Sequence, residues 1–254
     1  MIRAAFLALL ALALPAAADE EVVAALSQDR VSISTSFDGS EILVFGAVKR
    51  DAPAPPDGRL GIIVTVAGPG EPLTVRRKAR RLGIWVNVEG VEVDRAPSFY
   101  AVATSAPLRD VLTRTEDQRW RISPRLAIRA VGVADAAADA PEFLSALIRV
   151  REAAGLYATA PNTVQLRDDT LFSTTIALPA ALTEGDYATR IFLTREGRVV
   201  DSYATSIFVR KVGLERWIHA LAHDQPLAYG LLSLLIAIAA GCGASAAFRL
   251  VLRN

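Results

Sequence analysis

The chain has 254 residues, 28 Lys and Arg against 27 Asp and Glu, and a formal net charge of +1. That balance supplies no global pull toward nucleic acid. A single cysteine, Cys242, excludes a disulfide, a thiolate zinc site and a cysteine nucleophile from the rest of the sequence.

The first segment has one cation at Arg3, an apolar run from Ala4 to Leu14, Pro15, and then Ala16-Ala17-Ala18 before Asp19-Glu20-Glu21. This is the order of a secretory signal. An apolar stretch of about 11 residues is too short to cross roughly 30 Å of hydrocarbon. Residues 1–18 are therefore expected to be a signal peptide cleaved after Ala18. What remains outside a membrane is large enough for one large domain or two small ones.

The body from 19 to 212 reads as mainly β. Val31 to Phe37 and Glu41 to Val48 flank Asp38-Gly39, a hairpin signal. Asp51 to Arg59 is a proline-rich loop. Leu60 to Ala67 is a β-branched run, followed by strand candidates at Leu73–Lys78, Gly83–Val88, Val91–Val93 and Ser98–Thr104. Leu108–Thr113 and Pro141–Ala153 have helical composition, and Phe143, Leu147, Ile148 and Val150 form an apolar stripe. Pro141 suits a first turn and Gly155 a stop, with an alanine-rich linker at 134–140. Leu171–Leu178, Asp186–Thr194 and Val199–Val209 are three further strands, the last two joined across Arg195-Glu196-Gly197. The Leu182, Gly185, Tyr187 spacing is that of a tyrosine corner. The expected fold is thus an immunoglobulin-like β-sandwich with a helical insertion at about 105–160. Two separate small β domains are the alternative.

Residues 213–224 form an amphipathic juxtamembrane pattern, and 227–248 carries no charge over a length of about 33 Å as a helix. Arg249 and Arg253 follow it, which favours a cytoplasmic tail at 249–254. Trp217 and Tyr229 suit the outer interface.

Several groups are candidates for contact or chemistry. Arg76, Arg77, Lys78, Arg80 and Arg81 form the densest charge run, with Trp85 and Tyr100 as its neighbours in a binding surface. Guanidinium forks match lipid headgroups, acidic partners or small oxyanions; the same charges also guard an edge strand against aggregation. Glu215, His219 and His223 share a helix face that a metal could use, although a solvated polar face needs the same residues. Ala237, Gly241 and Ser245 make a small-residue ladder for helix packing within the span. Glu89, Glu92 and Asp94 are explained by strand alternation. No nucleophile elbow, phosphate loop, dinucleotide fingerprint or His-Glu-x-x-His occurs. An enzyme is accordingly not expected, nor a cofactor; a hydrolase without a recognisable motif is the least favoured reading.

Ser32 to Phe37, Arg76-Arg77-Lys78, Gly83 to Asn87, Ala96 to Tyr100 and the closing Gln225 to Gly230 together resemble a transmembrane protein family of alphaproteobacteria. The resemblance implies a single-pass protein of a Gram-negative inner membrane with its body in the periplasm. It carries no catalytic residues over. It also implies a transport partner of the sulfite-exporter permease type. The function expected is a membrane-anchored accessory module binding an inner-membrane complex or transporter. A receptor domain for a small oxyanion or solute is the alternative.

Overall fold

The computed structural model describes residues 20–34, 37–50, 59–130, 140–211 and 221–251. The expected signal segment 1–18 lies outside them, as do the proline-rich loop 51–58 and most of the juxtamembrane stretch. The chain divides into two compact units, Met1–Val31 with Asp38–Val209, and Ser32–Phe37 with Arg210–Asn254.

Most of the first unit is sheet. A four-stranded sheet has the order β1 (Glu20–Leu26), β3 (Gly39–Arg50), β10 (Leu171–Pro179), β9 (Gln165–Arg167). A six-stranded sheet has the order β2 (Arg30–Ile33), β12 (Arg198–Lys211), β11 (Gly185–Arg195), β4 (Leu60–Ala67), β7 (Tyr100–Thr104), β8 (Tyr157–Ala160). β5 (Gly70–Arg81) and β6 (Ile84–Pro97) form a two-stranded sheet of their own, with an isolated bridge from Arg95 to Arg129. β3 pairs antiparallel with β1 and β10, β10 with β9, β11 with β12 and β4, β4 with β7, and β5 with β6, whereas β7 and β8 are parallel.

Alternation explains the layers. On β3 and β10 the inward rows are Ile42, Val44 and Val48 opposite Phe172, Thr174, Ile176 and Leu178, all buried, while Leu43 and Phe45 point out. β4 is buried along both faces, because its sheet is covered twice. Ile63 and Phe192 pack with Val111, Leu112, Ile122 and Leu147 of the helical insertion. Their neighbours Ile62, Val64, Ile191 and Leu193, at 0% exposure, point to the opposite face, where β1 packs on β11 and β10 on β7. The result is a sandwich with a helical layer over the outer face of its larger sheet.

That layer contains α1 (Leu108–Val111), α2 (Arg114–Trp120), α3 (Pro124–Ala127) and α4 (Ala140–Ala153). α4 follows the sequence expectation in extent, with Gly155 at φ +69 just past its end. Its stripe is narrower than read: Phe143 and Leu147 are buried, whereas Val150 is 62% exposed. α2 escaped the sequence reading because it buries no residue; it is set by caps, the Thr113 hydroxyl accepting from Glu116 N and Arg121 turning left-handed at φ +52.

Two expectations are corrected. The Asp38-Gly39 dipeptide does not close a hairpin, since β2 and β3 belong to different sheets. Gly39 lies instead beside β10, where a Cβ would sit 2.8 Å from the Leu178 carbonyl oxygen, so the glycine permits a close strand approach. Gly83–Val88 and Val91–Val93 are one 14-residue strand with a register shift opposite Arg77 and Lys78. The tyrosine corner does form: Tyr187, fully buried, donates its hydroxyl to the Thr183 carbonyl at 2.8 Å.

In the second unit, α5 (Pro226–Val251) contains the expected span. Pro226–Ser245 has a mean hydropathy of 2.0, and none of it is buried. It is long and apolar enough to cross a bilayer. Residues 221–224 are also helical.

Candidate functional site

The β5–β6 finger is built from local rules. β5 and β6 turn through Leu82 and Gly83, both at positive φ (+50° and +88°), the pattern of a two-residue hairpin turn. At its base, Leu73, Val75, Val91 and Val93 pack into the body. Beyond Val91 the two strands have no sheet neighbour, and alternation places Arg76, Lys78 and Arg80 on a solvent-facing row. Trp85 stands opposite Arg80 in the register and joins that row; Ile84 stands opposite Arg81.

The five cations are not equivalent. Arg77 faces the other way, forming ion pairs with Glu89 at 3.2 Å and Glu142 at 3.1 Å, with its guanidinium 4.9 Å from the Phe143 ring centre. It fastens the finger to α4 across a cavity of about 590 Å³ lined by Val75, Arg76, Phe143 and Arg149. Arg76, Lys78, Arg80 and Arg81 enter no ion pair among the described residues. Arg80 makes only a long bond to the Gly83 carbonyl, 3.4 Å. Around them Leu82 is 104% exposed, Ile84 64% and Trp85 69%.

Tyr100 does not join this surface. It lies at 1% exposure in the core beneath α3, its hydroxyl donating to the Ile122 carbonyl at 2.7 Å, and burial pushes its phenol up to about 12. Of the histidine cluster, Glu215 and His219 lie outside the described residues and His223 sits on the 221–224 turn. No group of three His, Cys, Asp or Glu positioned for a metal occurs among the described residues. Glu92 and Asp94 are exposed along β6, while Glu89 pairs with Arg77. Ala237, Gly241 and Ser245 are exposed along α5, and a Cβ at Gly241 would meet nothing within 4 Å.

Sequence reasoning missed a second charged feature. Glu20, at 4% side-chain exposure, accepts from Arg50 Nε at 2.8 Å and from Arg195 Nη2 at 2.7 Å. Burial raises its carboxyl pKa, but the two guanidinium groups outweigh that and hold it below the ordinary value. Arg50 also donates to the Asp169 carbonyl. The arginines border a cavity of about 550 Å³ with Arg59, Ser105 and Asn162. Because both are committed to Glu20, this corner reads as a structural clamp. Its only sequence signal was an acidic residue at the start of a strand too short of pattern to notice.

The family described as "Putative transmembrane protein (Alph_Pro_TM)" matches residues 21–250. The chain belongs to that family. The match runs from β1 through α5, so body and apolar helix are both Alph_Pro_TM features. No curated protein matches the sequence. Among solved structures the chain is similar to Spo0M, a sporulation control protein from Bacillus subtilis, with 12% identity and a TM-score of 0.30. Coverage is 80% of this chain and 54% of that one, so the chain spans about half the length of Spo0M.

Proposed function

We propose that this Alph_Pro_TM member is a membrane-anchored binding module that acts by contact and not by catalysis. Its body lies on the periplasmic face of an inner membrane, its tail in the cytoplasm, and its partner is an integral membrane complex of the transporter class. The observation that carries this reading is α5: a 26-residue helix whose apolar 226–245 stretch has no buried part. A core helix of a soluble protein would hide such a surface. Exposed apolar area of this length asks for lipid and for other helices. Along it, Ala237, Gly241 and Ser245 recur at four-residue spacing, which lets a neighbouring helix approach closely. Arg249 and Arg253 support the orientation.

The test is photo-cross-linking in native membranes, with the reactive residue placed at Ala237 or Ser245 in the full-length protein. The expected product is an adduct with one integral membrane protein, lost when Gly241 is replaced by Leu. Adducts with lipid and self alone would remove the partner.

A further inference from the structure

The tip of the β5–β6 finger goes against the usual choice of residues for its turn. Where both central residues of a two-residue hairpin turn take positive φ, Asn-Gly or Asp-Gly is favoured. Here a leucine, Leu82, is held at φ +50 before Gly83. It gains no packing from that conformation, being 104% exposed, with Ile84 and Trp85 beside it at 64% and 69%. Left-handed strain at a bulky residue and clustered exposed apolar area both mark contact sites.

The charge around the tip identifies the surface contacted. From Arg76 to Val88 there are five cations and no carboxylate. Four of these, Arg76, Lys78, Arg80 and Arg81, have no ion-pair partner among the described residues. Apolar residues at an extremity, a tryptophan behind them and long cationic side chains around them match the layers of a bilayer interface. Acyl chains meet the apolar tip, indole favours the headgroup level, and cations reach phosphate while their stems lie along apolar area.

We propose that the finger tip inserts into an anionic bilayer surface. Leu82 and Ile84 enter the acyl boundary, Trp85 lies at the headgroups, and Lys78, Arg80 and Arg81 contact lipid phosphates. An acidic protein would satisfy the cations, but α5 calls for a bilayer and nothing else among the described residues calls for an acidic protein. A finger this small binds vesicles weakly on its own. Anchoring of the same chain by α5 makes the encounter intramolecular and raises the effective lipid concentration. The inference rests on the membrane-anchored reading and is independent of any protein partner.

The experiment uses the full-length chain reconstituted into vesicles of phosphatidylcholine, alone or mixed with phosphatidylglycerol. There are three tryptophans, so the Trp85 signal is taken as the difference between the wild type and Trp85→Phe. In anionic vesicles this component should be blue-shifted and quenched by lipids brominated on their acyl chains. It should become water-like in pure phosphatidylcholine and in Arg80→Glu/Arg81→Glu, each cation lost weakening engagement roughly fivefold. Leu82→Asn provides the folded control. Asparagine is preferred at that turn position, so the melting temperature should hold or rise while lipid quenching falls.

A Trp85 component that stays accessible to aqueous quencher in anionic vesicles, in a chain that co-floats with them, overturns the finger proposal and leaves the anchor intact. A chain that does not float with vesicles at all overturns the anchored reading itself. Protection of Trp85 in native membranes but not in anionic vesicles assigns the tip to a protein and also overturns the lipid proposal.

Discussion

Glu20 sits between the guanidinium groups of Arg50 and Arg195, which have only 12% and 14% side-chain exposure. Removing its charge leaves two cations facing one another in a largely dry corner, so Glu20→Gln should cost about 3 kcal/mol. The folded carboxyl is held below its ordinary value. Its contribution is therefore complete above the unfolded carboxylate pKa and is lost as pH falls through the folded one. Denaturant midpoints measured down an acid series should fall for the wild type and change less for Glu20→Gln. Equal midpoints for the two proteins at neutral pH would contradict this account. The clamp was not legible in the sequence, because Glu20 and Arg195 are 175 residues apart and a single carboxylate carries no periodicity. The Tyr187 bond to Thr183 spans four residues and was legible for that reason.

Among the elements, strand alternation carried most of the prediction: β4 and β10 to β12 lie close to where their apolar periodicity put them. Turn chemistry succeeded where the strands it joins are true neighbours. At Arg195-Glu196-Gly197, Glu196 and Gly197 take φ of +51 and +76 and β11 pairs with β12. It failed at Asp38-Gly39, where the choice of sheet was made by distant partners and not by the dipeptide. α2 was illegible because helix reading depends on an apolar stripe and α2 has none. The partnership of β3 can be tested at Gly46. A Cβ there would lie 2.5 Å from the Val23 carbonyl oxygen, 2.6 Å from Phe172 Cζ and 2.9 Å from Ala24 Cα. Two of those neighbours are backbone of β1, which cannot rotate aside. Gly46→Ala should therefore destabilise by about 2–3 kcal/mol, read as a lowered melting temperature. Shortening Phe172 to Leu in the same chain should restore only part of it. Full rescue would mean that β1 does not hold its register against β3 this closely.

For the whole molecule, the question is whether the helical layer and the sandwich melt as one. One tyrosine bond crosses between them, and a second tyrosine packs beside it. Tyr100 on β7 reaches the Ile122 carbonyl before α3, and Tyr157 on β8 reaches the Pro97 carbonyl at 2.8 Å. Their rings meet edge-on with centres 6.1 Å apart. Burial pushes both phenols up to about 12, from an ordinary value of 10.0. A folded pKa raised in this way favours the neutral, hydrogen-bonded phenol. The stability it represents is fully present below pH 10 and is lost as pH climbs toward 12. Both layers share Ile63, Phe192, Tyr100 and Tyr157 in a single apolar cluster, so neither can open without exposing the other. Raising the pH should thus produce one cooperative transition, in which the phenolate absorbance of Tyr100 and Tyr157, taken as the difference between the wild type and Tyr100→Phe/Tyr157→Phe, coincides with loss of β-sheet ellipticity. The double variant Tyr100→Phe/Tyr157→Phe should lose about 1 kcal/mol per hydroxyl at neutral pH but decline less steeply in alkali. Phenolate from Tyr100 and Tyr157 appearing well before the sheet signal is lost would mean that the helical layer lifts off an intact sandwich, and the body would then be two folding units instead of one.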